Sequence, residues 1–114
     1  MITLSKKEKK IAREIIEKGL QIEYAKALYD ADTVLQNWKN KETDNRATYH
    51  SLYKTVKDHD KHIARRYDNM TGSSYVYIIA AQLADGIITN DDLKEFREES
   101  LEGIKQLCKT LKEF

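Results

Sequence analysis

The sequence has no proline, little glycine and almost no cysteine. Its 114 residues include four glycines and one cysteine, Cys108. Proline interrupts helices, so its absence permits long ones. A lone cysteine cannot form an intramolecular disulfide, and this favours a reducing compartment inside the cell. We therefore predict a helical, cytoplasmic protein.

The chain also lacks a long apolar run and a dominant sign of charge. No apolar stretch approaches the roughly 20 residues that cross a bilayer, and we expect no secretory leader from the charged start of the sequence. Twenty basic and nineteen acidic side chains give a net charge of +1. This balance argues against a strongly basic nucleic-acid binder and against an acidic mimic of DNA. We expect no membrane partner, and the length predicts a single domain, residues 1–114.

Apolar residues recur at intervals of three and four along nearly the whole chain, which is the spacing of helices. Four helices are predicted, at approximately residues 6–39, 44–70, 74–85 and 90–113. Short connections make neighbouring helices antiparallel, so the predicted fold is an all-α, antiparallel bundle of three to four helices. A straight first helix would be about 50 Å long, whereas a compact domain of this size is roughly 35 Å across. Either the bundle is elongated, which we favour, or the helix breaks at Gly19.

Short polar motifs predict where these helices begin and end. Ser5 is followed three residues later by Glu8, and Thr89 by Asp92, which is the spacing of a capping box. We expect these pairs to start the first and fourth helices. Gly72 lies where a left-handed residue would end the second helix.

The third predicted helix is apolar on almost every side, so it must be buried widely or lie at an interface. Ser73 or Ser74 is expected to cap it. The chain also has seven tyrosines and one tryptophan, and aromatic residues are enriched at protein interfaces. Our leading hypothesis is a non-catalytic protein–protein interaction or regulatory bundle that self-associates, as a homodimer or larger homo-oligomer. The predicted contact residues are Trp38, Tyr75, Tyr77 and Ile78.

A row of cations on the second helix supports a different hypothesis, nucleic-acid binding. Such a row could follow phosphates, and nearby tyrosines could stack on bases. Nearby aspartates oppose it, so a solvated helix face is the simpler interpretation. The residues of this row are Lys54, Lys57, Lys61, Arg65 and Arg66.

A third hypothesis, metal binding, rests on His59 and His62, which are three residues apart and share a helix face. Two ligands do not make a site, so no metal and no other cofactor is predicted. His59 and Asp60 also interrupt the apolar stripe of the second helix. A polar residue in such a seam usually binds a partner across the helices, and we expect that partner among Tyr24, Tyr29, Tyr53 and Asp32.

Motifs of catalysis are missing as well. The sequence has no glycine-rich phosphate loop and no strand-to-helix turn that would present a nucleophile. We therefore predict that the protein is not an enzyme.

Overall fold

The computed structural model describes residues 3–113, and within that range it contains helices and turns but no strand. The four α-helices are α1 (Lys6–Lys39), α2 (Asn45–Tyr67), α3 (Tyr75–Ala84) and α4 (Glu98–Lys112). Two short 3₁₀ helices, Gly72–Ser74 and Asn90–Leu93, precede α3 and α4. The predicted all-α fold is confirmed. Phe114, the last apolar position predicted for the fourth helix, lies outside the described residues.

Helix α1 continues through Gly19 without a break. The glycine instead allows another helix to approach α1 closely at this position. The side-chain amide of Gln82 lies over it and donates to the carbonyl of Ile16 at 3.1 Å. A Cβ atom at position 19 would lie only 2.6 Å from Cδ of Gln82. The glycine thus leaves room for a buried amide, and the helix continues through it.

The predicted capping box at the start of α1 is confirmed. The N–H of Glu8 donates to Oγ of Ser5 at 3.1 Å, and the N–H of Ser5 donates to the Glu8 carboxylate, also at 3.1 Å. Helix α2 begins in a similar way, because a carboxylate oxygen of Asp44 accepts from the N–H of Ala47 at 2.7 Å. The side chains of Ser5 and Asp44 thereby satisfy backbone donors that the first turns of α1 and α2 leave free.

The segment between α2 and α3 differs from the prediction. Helix α2 ends at Tyr67 rather than near residue 70, and the left-handed residue after it is Asn69, with φ 62°, rather than Gly72. Asparagine tolerates this conformation better than most residues. Ser74 does not cap α3 with its side chain, because its Oγ accepts from the N–H of Thr71 at 3.0 Å and closes the 3₁₀ turn.

The prediction of one helix over residues 90–113 is also wrong. The Thr89–Asp92 box forms, with the N–H of Thr89 donating to Asp92 at 2.8 Å, but it starts only the short 3₁₀ helix. Arg97 then adopts extended backbone and precedes α4. Its N–H and its guanidinium both bind Glu8, at 3.1 and 2.9 Å. This contact between distant parts of the sequence holds residue 97 outside a helix.

The described residues form two compact units, of which unit 1 comprises those within Met1–Leu20 and Asn69–Phe114. Helix α3 packs against α4 in this unit. Its apolar core draws on the start of α1, on α3, on the 3₁₀ segment and on α4. The fully buried large side chains of this core are Ile16, Ile79, Ile88, Leu93 and Ile104.

Unit 2, Gln21–Asp68, consists of the remainder of α1, the turn at residues 40–44, and α2. Its buried residues are Glu23, Thr48, Ile63 and Tyr67, so polar groups share the interior with few apolar ones. The prediction of a single domain for residues 1–114 stays a prediction. Across residues 3–113, no helix combines the length and the apolar character that crossing a bilayer requires.

Candidate interaction surface

The four predicted contact residues lie in both units and differ in exposure. In unit 1, Tyr75 is half-buried and Tyr77 is 60% exposed, but Ile78 is only 6% exposed. Ile78 is withdrawn from the contact residues, because the side chains of its own unit cover it. Trp38, in unit 2, exposes part of its ring, and its Nε1 donates to Oδ1 of Asn45 at 2.7 Å.

Unit 2 is an antiparallel helical hairpin held together by a buried carboxylate. Glu23 of α1 is 5% exposed and binds three side chains from the end of α2. Nε2 of His62 lies 2.6 Å from Oε1 of Glu23, and Nη1 of Arg66 donates to the same oxygen at 3.0 Å. The hydroxyl of Tyr67 donates to the other oxygen, Oε2. Charged hydrogen bonds of this kind compensate the cost of burying the carboxylate.

A second polar contact lies nearer the middle of the hairpin. Nε2 of His59 is 2.7 Å from Oδ2 of Asp30, and the imidazole is half-buried. The prediction that His59 binds a partner across the seam is confirmed, but the partner is Asp30 and not one of the four residues proposed from the sequence. Asp60, beside it, is exposed.

Five of the eight large apolar side chains exposed in unit 2 follow a simple rule of position: each comes directly after a buried or half-buried residue. Ile22, Tyr29 and Trp38 do not follow it. Glu23 is buried and the next residue, Tyr24, is exposed; Thr48 is buried and Tyr49 is exposed. Thr55 is half-buried and Val56 is exposed. We call the side that these residues share the aromatic face, and Leu35, which is half-buried and follows half-buried Val34, belongs to it by position. Its six residues are Tyr24, Leu28, Leu35, Tyr49, Tyr53 and Val56.

The rule places all six residues on the same side of the hairpin. One step along an α-helix rotates the side chain by about 100° in a fixed sense. In two antiparallel helices that face each other, equal rotations away from their contact line point to the same side of the pair. Leu28 and Leu35 of α1 therefore lie on the same side of the hairpin as Tyr53 and Val56 of α2. Of the six, only Leu35 is half-buried; the others are exposed.

The predicted basic row of α2 is not part of the aromatic face. Several of its cations already interact with other side chains. Nζ of Lys54 donates to Asp58 at 2.6 Å, and this hydrogen bond lowers the pKa of Asp58 below its ordinary value. Arg66 is largely buried against Glu23, and the ammonium of Lys57 lies 5.7 Å from the ring centre of Tyr53.

The remaining two cations of the row, Lys61 and Arg65, are exposed. Lys54 and Lys57 are exposed as well but already contact Asp58 and Tyr53. The row therefore attracts a phosphate backbone less than five unengaged cations would, since affinity grows with each phosphate contacted. The structure adds no observation that favours nucleic-acid binding.

The two histidines proposed as metal ligands bind different carboxylates, His59 that of Asp30 and His62 that of Glu23. No group of three histidine, cysteine or acidic side chains with metal-binding geometry occurs in the described part of the chain. Both imidazoles instead connect α1 to α2. For His59 this is the cross-helix contact that the sequence predicted, whereas the contact of His62 with Glu23 was not predicted.

Comparison of the chain with models of protein families, with curated proteins and with solved structures finds no match. The aromatic face must therefore be interpreted from its own geometry.

Sequence reasoning assigned the residues of the aromatic face to the apolar stripes of the two helices without recognising that they stay exposed. A usable indication was present in α2, where the positions preceding the exposed ones include polar residues, Thr48 and Thr55. Polar residues on the line that faces α1 shift the apolar stripe to one side. A stripe displaced in this way cannot be fully covered by a single neighbouring helix.

Proposed function

We propose that this chain is a small, non-catalytic protein–protein interaction module that self-associates in the cytoplasm and regulates by binding. The observation that supports this most directly is the distribution of exposed apolar side chains. Among the described residues, eight of the ten large apolar side chains left exposed lie in unit 2. Five of the eight belong to the aromatic face, and apolar side chains gathered on one side of a protein are typical of interaction sites.

The small interior of unit 2 supports the same proposal. Ile63 and Tyr67 are its buried large apolar residues, and burying apolar surface is the main favourable contribution to folding. A two-helix hairpin has little surface to bury within itself, so association is a common way for such units to gain stability.

Two further features fit a binding role inside the cell. Histidine is the side chain best suited to proton transfer at neutral pH, and two of the three histidines, His59 and His62, are used to join α1 to α2. Cys108 is a free, buried thiol, which behaves as a small apolar residue in the core and is compatible with a reducing compartment.

Sedimentation velocity of the purified full chain tests the proposal. The measurement is made in reductant, so that Cys108 cannot link molecules covalently, over concentrations from about 1 to about 200 µM. Interfaces of ordinary size have dissociation constants in the micromolar range or below, so we expect the mass to rise with concentration from that of one chain to that of a dimer or a larger assembly. A single species of about 13.3 kDa at every concentration would contradict self-association.

A further inference from the structure

We infer that the aromatic face of unit 2 is the self-association interface and that its occupant is the same face of a second copy of this chain. The inference rests on the proposed function and specifies where the contact lies. The sequence had placed the contact at α3 and Trp38. The structure offers an alternative surface with five exposed large apolar side chains, against two, Trp38 and Tyr77, among the residues predicted from the sequence.

The exposed apolar area of the face exceeds half of what a stable dimer buries on each partner. Tyr24, Tyr49 and Tyr53 are 46%, 72% and 62% exposed. A full aromatic side chain buries about 150–250 Å², so these three rings leave about 350 Å² uncovered. A stable interface buries about 800 Å² per partner. Leu28 and Val56, both more than half exposed, bring the face well past half of that area.

Geometry favours a second copy over an unrelated occupant. Two hairpins packed face to face make a bundle of four helices, the common arrangement in which amphipathic helices share one core. Such a contact uses the same patch on both partners, which is how most homodimers are built. It would supply the apolar interior that unit 2 does not form within one chain.

Few charged side chains lie on this side of the hairpin. Asp60 follows the inward-facing His59, so the positional rule places it on the side of the aromatic face. Lys57 lies against the ring of Tyr53, at the edge of the same surface. Asp32 is exposed four residues after Leu28 and therefore adds a second acid on this side. Across a two-fold axis the base of each copy can face an acid of the other.

Two neighbouring residues of α1 allow a closely matched test. Leu28 is 71% exposed and belongs to the aromatic face, whereas Tyr29 is 74% exposed and points about 100° away from it. We expect Leu28→Glu to weaken dimerisation by about 30-fold or more, the loss typical of a central interface residue. Tyr29→Glu should change it by less than about threefold. Circular dichroism of both variants should match the wild type, because neither side chain is buried.

The two hypotheses fail in different ways in this experiment. If the wild type sediments as a monomer at every concentration, both the proposed function and this inference are wrong. If the wild type dimerises but Leu28→Glu leaves the dissociation constant unchanged, or weakens it no more than Tyr29→Glu does, only the inference is overturned. Assembly of the wild type beyond a dimer without limit would also overturn it, since a shared patch closes at two copies.

Hydroxyl-radical footprinting of the unmodified protein provides a second measurement that needs no variant. Raising the concentration through the dissociation constant should protect Tyr53 and Tyr49 several-fold and leave Tyr77, which is exposed in unit 1, at its original reactivity. Protection of Tyr77 with Tyr53 and Tyr49 unchanged would place the interface on α3 and refute the assignment.

Discussion

The stability of unit 1 should depend on the charge of Glu8, a residue that serves two structural purposes. Its carboxylate caps α1 through the N–H of Ser5 and also binds the backbone and guanidinium of Arg97. Burial raises the pKa of Glu8, but the hydrogen bonds from Ser5 and Arg97 and the positive charge of Arg97 outweigh it. The net result lowers the pKa from its ordinary value of 4.5 to about 2.

The size and sign of the effect follow from linkage between protonation and folding. Because the folded pKa lies below the unfolded one, the ionised carboxylate stabilises the fold at pH values above about 4.5, and this contribution is lost as the pH falls toward 2. A difference of this size corresponds to about 3 kcal/mol of free energy of unfolding. Glu8→Gln should therefore reduce the stability by about 3 kcal/mol at neutral pH and by almost nothing near pH 2.

Urea unfolding followed by circular dichroism at 222 nm, repeated at several pH values, measures this difference. Glu14→Gln is the matched control, since Glu14 lies on the same helix and is exposed; its unfolding should follow the wild type throughout. Equal losses of stability for wild type and Glu8→Gln on acidification would show that another group is responsible and would refute the reasoning.

Three further substitutions test other contacts. Gly19→Ala places a methyl group against Gln82 and should cost about 2 kcal/mol; a urea midpoint equal to or above that of the wild type would contradict the close approach. Glu23→Gln leaves the buried guanidinium of Arg66 without its charged partner and should cost about 3 kcal/mol, measured by Trp38 fluorescence; a loss below about 1 kcal/mol would show that the contact is dispensable. Asp44→Ala removes the cap of α2 and should cost about 1 kcal/mol, with reduced helicity of the hairpin as the spectroscopic sign.

Local patterns predicted the fold class and much of the helix content. The Ser5–Glu8 box and the extent of α1 follow from residues close together in the sequence, and such interactions can be recognised without knowing the fold. The gap before α4 could not be predicted in this way. It depends on Arg97 binding Glu8, and these residues are separated by 89 positions.

Contacts across the hairpin were predictable in kind but not in identity. The sequence indicated that His59 needs a partner, and Asp32 was proposed when the partner is Asp30. Two positions along a helix change the direction of a side chain by about 200°, so the choice depends on the rotational setting of α1 against α2. The same setting decides that Leu28 stays exposed, and spacing alone does not reveal it.

The positional rule in unit 2 also limits how the chain can change in length. Inserting or deleting one residue inside either helix would turn every later side chain by about 100°. Residues of the aromatic face such as Leu35 would then point toward the other helix or to the opposite side of the hairpin. The turn at residues 40–44 is free of this restriction, because it lies between α1 and α2 and its length does not set the phase within either helix. In descendants of this sequence, gaps and insertions should therefore accumulate at the turn, while the helical stretches keep a constant residue count.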